Sequence, residues 1–228
     1  KIGTQFVIKT EDATLTAFAV LIATGAQHRK LDVRGEKKFA GSGVSYCATC
    51  DGPFFKNKRI IVVGGGDSAC EEAFYLASLS DQVMLVHRRG QLRAQKAVQD
   101  KVLSTPQITV RYNSVVHEIK GHDHVESVVL ENTETHELVE LPTDAVFVFV
   151  GMIPRTDLVT MLPTDESGYI ITNYRMETLV PGMYAAGDVR AKPFRQIVTA
   201  TGDGATAAHS AHEYVQTLKT KTAAGETL

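Results

Sequence analysis

The sequence predicts an α/β protein carrying two related units, each built on apolar strands that close on a glycine. Three observations carry that prediction. Phe18–Ala23 and Ala145–Val150 are continuous apolar runs, as expected of strands covered on both faces. Each follows a hairpin or meander and ends at a glycine, Thr24-Gly25-Ala26 in one case and Gly151 in the other, so one unit reads as a repeat of the other. Between them, Arg59–Val63 runs into Gly64-Gly65-Gly66-Asp67-Ser68-Ala69 and then a helix through Cys70–Ala77. Strand before and helix after is the context in which G-x-G-x-x-A binds a dinucleotide.

In chain order, Phe6-Val7-Ile8 and Thr14-Leu15-Thr16 read as a hairpin with Glu11-Asp12 at its turn. The run to Ala23 follows, and Gly25 lets backbone approach a ligand closely. No earlier glycine-rich strand–helix unit precedes this strand. Residues 27–45 are polar and glycine-bearing and read as a linker.

Next comes Tyr46-Cys47-Ala48-Thr49-Cys50-Asp51-Gly52. A Cys-x-x-Cys pair on one helical turn lies within disulfide reach. Cys47, nearer the helix start, feels unpaired amides that favour thiolate. Asp51 is a candidate proton carrier, since thiol–disulfide exchange needs a proton for the leaving sulfur. The pair supplies only half of a structural zinc set, and Cys70 sits in a different motif, so redox chemistry leads and no metal site is expected.

In the glycine motif, Gly64 permits the tight turn, Gly66 lets a pyrophosphate near, and small Ala69 allows close helix–strand packing; Asp67 and Ser68 open the helix whose amides meet phosphate. Cys70 reads as a small buried helix residue. The second strand, Val83–Val86, ends at His87-Arg88-Arg89, with Arg93 a short step on. No acid stands there for a ribose 2′-hydroxyl. The basic cluster suits a 2′-phosphate, hence NADPH.

Three alternating runs, Ile108–Ile119, Val125–Leu130 and Leu138–Leu141, read as a β-meander, with His122 and His124 solvated in a turn. Further strands are expected at Gly168–Thr172 and Gly182–Asp188. There Gly187-Asp188 could set a carboxylate on a ribityl or ribose hydroxyl and an amide on phosphate. Arg195-Gln196-Ile197 opens the last helix, which is expected to end near Leu218 before a frayed polar tail from Lys219. A helix N-terminus aimed at the pyrimidine edge of a flavin would stabilise the negative charge that appears on reduction.

The totals are those of an ordinary globular chain: 228 residues, 43% apolar, 22% charged, net charge −2. Nucleic acid and membrane are not expected as partners, because the charge is near neutral and the longest apolar runs are too short to span a bilayer. The N-terminus does not resemble a secretory signal, and three cysteines suit a reducing compartment, so a cytoplasmic setting is expected.

Taken together these motifs resemble low-molecular-weight thioredoxin reductases. The matching stretches are Ala23–Ala26, Cys47–Gly52, Gly64–Ala69, His87–Arg89, Gly151-Met152-Ile153-Pro154, Ala186-Gly187-Asp188 and Arg195-Gln196. The resemblance implies two Rossmann-like domains, an FAD domain split by an inserted NADPH domain that carries the disulfide. It divides the chain at 1–29 and 151–228 (FAD) and 30–150 (NADPH), with the N-terminal part of the FAD domain lacking. It implies electron flow from NADPH through FAD to Cys47–Cys50 and on to thioredoxin, in a homodimer. Cys50 matches the flavin-facing sulfur, Cys47 the one that attacks thioredoxin, and Asp51 the acid/base. Thr24, Gly25, Ala26, Gly187, Asp188, Arg195, Gln196 and Ile197 fall to FAD. Gly64, Gly66, Asp67, Ser68, Ala69, His87, Arg88, Arg89 and Arg93 fall to NADPH. Arg155 departs from the family's usual Asn, and Cys70 from a small aliphatic residue. Two alternatives stay open: the reductase portion of an alkyl hydroperoxide reductase flavoprotein, and a truncated non-catalytic NADPH-binding module. Without the lacking segment the chain is expected to be colourless, poorly soluble and inactive, with residues 30–150 still binding NADPH weakly. Disulfide and nucleotide turn must both reach one flavin, so rotation on the connections near 26–30 and 151–155 is expected.

Overall fold

The computed structural model describes residues 3–223. In chain order they form β1 (Phe6–Lys9), β2 (Thr14–Ala17), β3 (Val20–Ile22), β4 (Ala26–His28), β5 (Val44–Ser45), α1 (Ala48–Asp51), β6 (Ile60–Gly64), α2 (Asp67–Ala77) and β7 (Val83–Val86). There follow α3 (Lys96–Leu103), β8 (Ile108–Arg111), β9 (Ser114–Gly121), β10 (Val125–Asn132), β11 (Leu138–Pro142), β12 (Ala145–Phe149), β13 (Met152–Pro154), β14 (Met183–Ala185) and α4 (Ile197–Ala223). The chain divides into two compact units, His28–Gly151 and the pair of segments Lys1–Gln27 and Met152–Leu228.

The unit 28–151 is a five-stranded sheet in the order β5-β12-β6-β7-β8, with every pairing parallel. Alternation along the strands splits the apolar runs between two cores. Ile60, Val62, Leu85 and Phe147 pack with Leu76 of α2 and Val102 of α3. Ile61, Val63, Val86, Val146 and Val148 pack with Val116, Ile119, Val125 and Val128 of the β9-β10-β11 meander. A parallel strand covered on both faces reads as an unbroken apolar run for this reason.

The other unit holds the β1–β2 hairpin and the parallel pair β3–β14, in register from Met183↔Val20 to Ala185↔Ile22. Ile22, Met183 and Ala185 join Phe6, Val159 and Ile170 in one core, while Tyr184 turns the other way to Ala207 of α4 and donates its hydroxyl to the Ser210 carbonyl at 3.1 Å. Gly182 needs its positive φ of 83°, and a Cβ there would press to 2.9 Å from the Phe18 carbonyl.

Several expectations are corrected. Residues 27–45 are not a linker: Phe39 and Val44 are buried core, and the buried Glu36 carboxylate accepts the Leu31 and Asp32 amides at 2.9 and 2.8 Å. The run Ile108–Ile119 is two strands, because Asn113 takes a left-handed φ of 49°; β8 joins the parallel sheet and only β9 enters the meander. Gly168–Thr172 makes only isolated bridges at Ile170. Phe18–Ala23 shortens to β3, whose Leu21 stays 39% exposed on a strand with one partner. The helix α3 is an element beyond those the sequence led us to expect. The helix α4 continues to Ala223, five residues past Leu218, so the tail expected from Lys219 is helical through 223, and its remainder lies outside the described residues.

Candidate active site

Cys47 and Cys50 are disulfide-bonded, with Cα atoms 5.3 Å apart. Cys47 caps α1: its backbone is extended and its sulfur accepts the Cys50 N–H at 3.2 Å. The helix is a single turn, followed by a 3-10 turn at Gly52–Phe55. The help to a Cys47 thiolate therefore comes from this one local amide rather than from a long helix. Cys50 is exposed and Cys47 half-buried, so the disulfide is open to a partner.

Two networks hold the turn. The Ser45 hydroxyl lies 2.6 Å from Asp51 Oδ2 and accepts the Cys47 N–H at 3.1 Å. The Tyr46 hydroxyl donates to Glu36 Oε1 at 2.8 Å, and its ring stacks on His28 at 5.1 Å. Burial first, then the bond to Glu36, raises the Tyr46 phenol well above its ordinary range.

The nucleotide turn joins β6 to α2, with Gly66 as the helix cap. Gly64 has φ 157° and meets the Ala69 methyl and the Phe149 carbonyl, so no side chain fits. At Gly65 a Cβ would overlap the His87 imidazole. Gly66 is different: its backbone is ordinary (φ −92°, ψ −177°), and a Cβ there would meet nothing within 4 Å. Nothing inside the protein demands glycine at 66. An open cradle beside helical amides fits the approach of a pyrophosphate. Ser68 is exposed on the first turn beside it.

Arg88, Arg89 and Arg93 are exposed on the loop after β7. That loop is clamped to the glycine turn: the Arg93 N–H donates to the Gly65 carbonyl at 2.7 Å, and the Gln95 N–H to Asp67 Oδ1 at 2.7 Å. Leu92 and Ala94 are buried between these points. His87 has a different post from its arginine neighbours. It is 5% exposed, and its Nδ1 lies 2.9 Å from the Gly64 carbonyl, so Nδ1 must carry the proton. Burial, the largest cause, lowers its pKa and so disfavours the charged ring, while the bond to Gly64 ties His87 to the turn. Cys70, buried behind the turn, has its thiol pushed up to about 11, by burial first. It is inert packing.

In the other unit, Thr24 Oγ1 donates to the Arg155 carbonyl at 2.5 Å, the Arg155 N–H donates to the Gly25 carbonyl at 2.9 Å, and the Arg155 guanidinium reaches Gln27 Oε1 at 3.0 Å. Arg155 thus takes part in holding the Thr24-Gly25-Ala26 turn. Gly187 has φ 76°, and its amide donates to Asp203 Oδ2 at 3.1 Å. Asp188 Oδ1 is buried without a hydrogen bond, its nearest cation being Lys192 Nζ at 3.6 Å. Arg195 lies over the Tyr169 ring at 3.8 Å with Nε buried and unbonded, and Gln196 and Ile197 stand at the start of α4. Orphaned polar atoms on Asp188 and Arg195 fit a polar ligand such as a ribityl chain and flavin edge.

Sequence reasoning missed Ser45, Glu36, Lys192 and Asp203. The Lys192 side chain is 5% exposed and donates to Thr199 Oγ1 at 3.2 Å and Asp203 Oδ2 at 3.0 Å, while Arg190 reaches the same carboxylate at 3.3 Å. Only Ser45 carried a local signal, two residues before Cys47. Among the described residues no cluster could hold a metal ion, and no helix is long and apolar enough to cross a membrane.

Residues 2–204 match the family model described as pyridine nucleotide-disulphide oxidoreductase. The chain is 51% identical over 214 residues to thioredoxin reductase of Treponema pallidum, covering 94% of the chain and 70% of that protein. It is 51% identical over 208 residues to thioredoxin reductase of Listeria innocua, covering 90% and 65%. The crystal structure of thioredoxin reductase from Streptococcus pyogenes overlays at TM-score 0.90 and 46% identity, over 95% of this chain and 72% of that one. The chain thus spans about two thirds of these relatives' length.

Proposed function

The chain belongs to the thioredoxin reductases of the pyridine nucleotide-disulphide oxidoreductase family, and on that premise we propose that it reduces the disulfide of thioredoxin with electrons from NADPH, through FAD and its own Cys47–Cys50 pair. One observation carries the reading: a single unit, 28–151, holds both a glycine turn with an arginine loop clamped to it and an exposed disulfide with an acid beside it. Three exposed guanidiniums favour NADPH, and with it thioredoxin reduction, over the hydroperoxide-reductase alternative.

FAD supplies the relay between a two-electron hydride donor and a disulfide. In this proposal Gly66 and the first turn of α2, with Ser68, receive the pyrophosphate, and Ala69 lets α2 approach β6. Arg88, Arg89 and Arg93 pair with the 2′-phosphate, while His87 and Asp67 hold the turn and loop in register. Thr24, Gly25, Ala26, Gly187, Asp188, Arg195, Gln196 and Ile197 contact FAD, with Lys192 and Asp203 fixing the Gly187 turn from behind. Cys50 is the sulfur nearer the flavin, Cys47 attacks thioredoxin, and Asp51 moves the proton. The units 28–151 and 1–27 with 152–228 are read as the NADPH and FAD domains. A homodimer in the cytoplasm completes the proposal, supported by the family and by a redox disulfide in a chain of three cysteines.

The test joins the chain to the N-terminal part of the FAD domain that the resemblance finds lacking, supplies FAD, NADPH and oxidised thioredoxin, and follows NADPH oxidation and thioredoxin thiols together. One thioredoxin dithiol per NADPH is expected. NADPH oxidation without thioredoxin thiols would remove thioredoxin as the substrate.

A further inference from the structure

Ser45 is 5% exposed on β5, a strand fixed by its parallel pairing to β12 (Ser45↔Phe147). Its hydroxyl stands 2.6 Å from Asp51 Oδ2 and 3.3 Å from the Cys47 carbonyl. A hydroxyl has one proton, and the shorter contact to a carboxylate is the stronger claim on it. The same oxygen accepts the Cys47 N–H at 3.1 Å. The result is a directed chain from the Cys47 amide through Ser45 to the Asp51 carboxylate. It mounts the acid, which otherwise sits on a one-turn helix, against the edge of the rigid sheet.

We propose that Ser45 is a positioning residue for thiol–disulfide exchange: its hydroxyl holds Asp51 by Oδ2 and leaves Oδ1 to carry the proton. This rests on the reading of Cys47–Cys50 as the pair that reduces thioredoxin. In the step, the Cys47 thiolate of the reduced pair attacks one sulfur of the thioredoxin disulfide. A mixed disulfide forms, and one thioredoxin sulfur leaves as thiolate and takes from Asp51 the proton that Cys47 gave up in becoming a thiolate. The Cys50 thiol then gives up its proton through Asp51 and attacks the Cys47 sulfur. The Cys47–Cys50 bond forms again, and the second thioredoxin sulfur leaves and takes that proton. Two electrons and two protons pass to thioredoxin, and none are left over. A carboxylate free to swing off this path transfers the proton less often.

The test reduces the full chain with dithiothreitol, removes the reductant, and follows one turnover against oxidised thioredoxin and, separately, against 5,5′-dithiobis(2-nitrobenzoate). Neither arm needs a bound flavin. Ser45→Ala is expected to slow exchange about tenfold, the loss of a hydrogen bond to a charged partner. Ser45→Thr, which keeps the hydroxyl, is expected to restore most of the rate. The decisive arm is Asp51→Ala: if Ser45 acts through Asp51, adding Ser45→Ala to it changes the rate less than twofold, as sites acting in series require. Full additivity of the two, or a Ser45→Ala rate equal to wild type, would overturn the proposal. NADPH affinity unchanged in Ser45→Ala shows that the variant has folded. If it has not, the Thr variant alone decides, since a rate as low as that of Asp51→Ala would count against the hydroxyl's role. Exchange that shows this coupling with the small disulfide but none with thioredoxin leaves Ser45 standing and rejects the thioredoxin reading.

Discussion

The two units of this chain solve the same packing problem differently. In 28–151 a five-stranded parallel sheet is covered on one face by α2 and α3 and on the other by the meander. In 1–27 with 152–228 the strands come in pairs, and apolar side chains stay outside. Of the exposed large apolar side chains among the described residues, thirteen belong to the second unit, Ile197 (87%), Leu158 and Leu179 (both 78%) among them, and three to the first. Apolar surface on that scale is where ligand or protein contacts form. Unit 28–151 covers its apolar strands with its own helices and meander, while the other unit leaves large apolar side chains exposed.

The sharpest division is functional. Cys50→Ser is expected to abolish thioredoxin reduction while NADPH affinity stays at the wild-type value, because disulfide and glycine turn are separate features of unit 28–151. Titration calorimetry and a thioredoxin assay on one preparation check this; a folded variant that has lost NADPH as well would mean the two are not separable.

Packing gives the next largest effect. Leu76→Ala, at a fully buried position in the self-contained unit, should cost about 2–5 kcal/mol, whereas Leu179→Ala, at a position 78% exposed, should stay within about 0.5 kcal/mol. Urea unfolding measures both, and comparable costs would erase the contrast between the units.

Within the glycine turn, Gly65→Ala drives a methyl into His87 and should cost about 1–3 kcal/mol of stability. Gly66→Ala meets open space, so it should cost at most about 1 kcal/mol yet weaken NADPH about tenfold. Equal effects of the two substitutions on NADPH would mean that Gly66 is not the cradle. Arg88→Ala or Arg89→Ala should weaken NADPH about tenfold to a hundredfold and leave NADH nearly unchanged, each charge-assisted bond contributing about 1.5–3 kcal/mol. An unchanged NADPH/NADH ratio puts the 2′-phosphate elsewhere.

The smallest effect concerns pH. Two Arg59 side-chain bonds to Asp144, opposed by burial and aided by the Arg59 amide, hold that carboxyl down to about 2. The folded pKa lies below the unfolded value of about 3.9, so the pair stabilises above that value and its contribution fades as pH falls towards 2. Asp144→Asn should therefore lower the urea midpoint at pH 6 and approach wild type near pH 2.5. A difference that does not narrow with acid would assign the effect to packing.

Much of this was legible in residue order. Runs such as Ile60–Val63 and Ala145–Phe149 declare a parallel strand by being apolar at every position, and Gly64–Ala69 declares its turn because strand, glycines and helix are contiguous. Cys47, Cys50 and Asp51 are legible for the same reason, since they lie within one turn of the chain. Tertiary structure alone decided what depends on distant partners. Motif spacing marks Gly66 for the pyrophosphate, but that a methyl fits over Gly66 and not over Gly65 is decided only when His87, just past the next strand, fills the space over one of them. Glu36 and Asp203 look like surface acids until folding closes amides and cations around them. Ile108–Ile119 looks like one strand until the left-handed turn at Asn113 sends its halves to different sheets. A local pattern records which faces are apolar, because each residue's burial preference is its own. Which hydroxyl reaches which carboxylate is set by closing loops across the fold, as when β5, pinned to β12 about a hundred residues away, brings Ser45 up to Asp51.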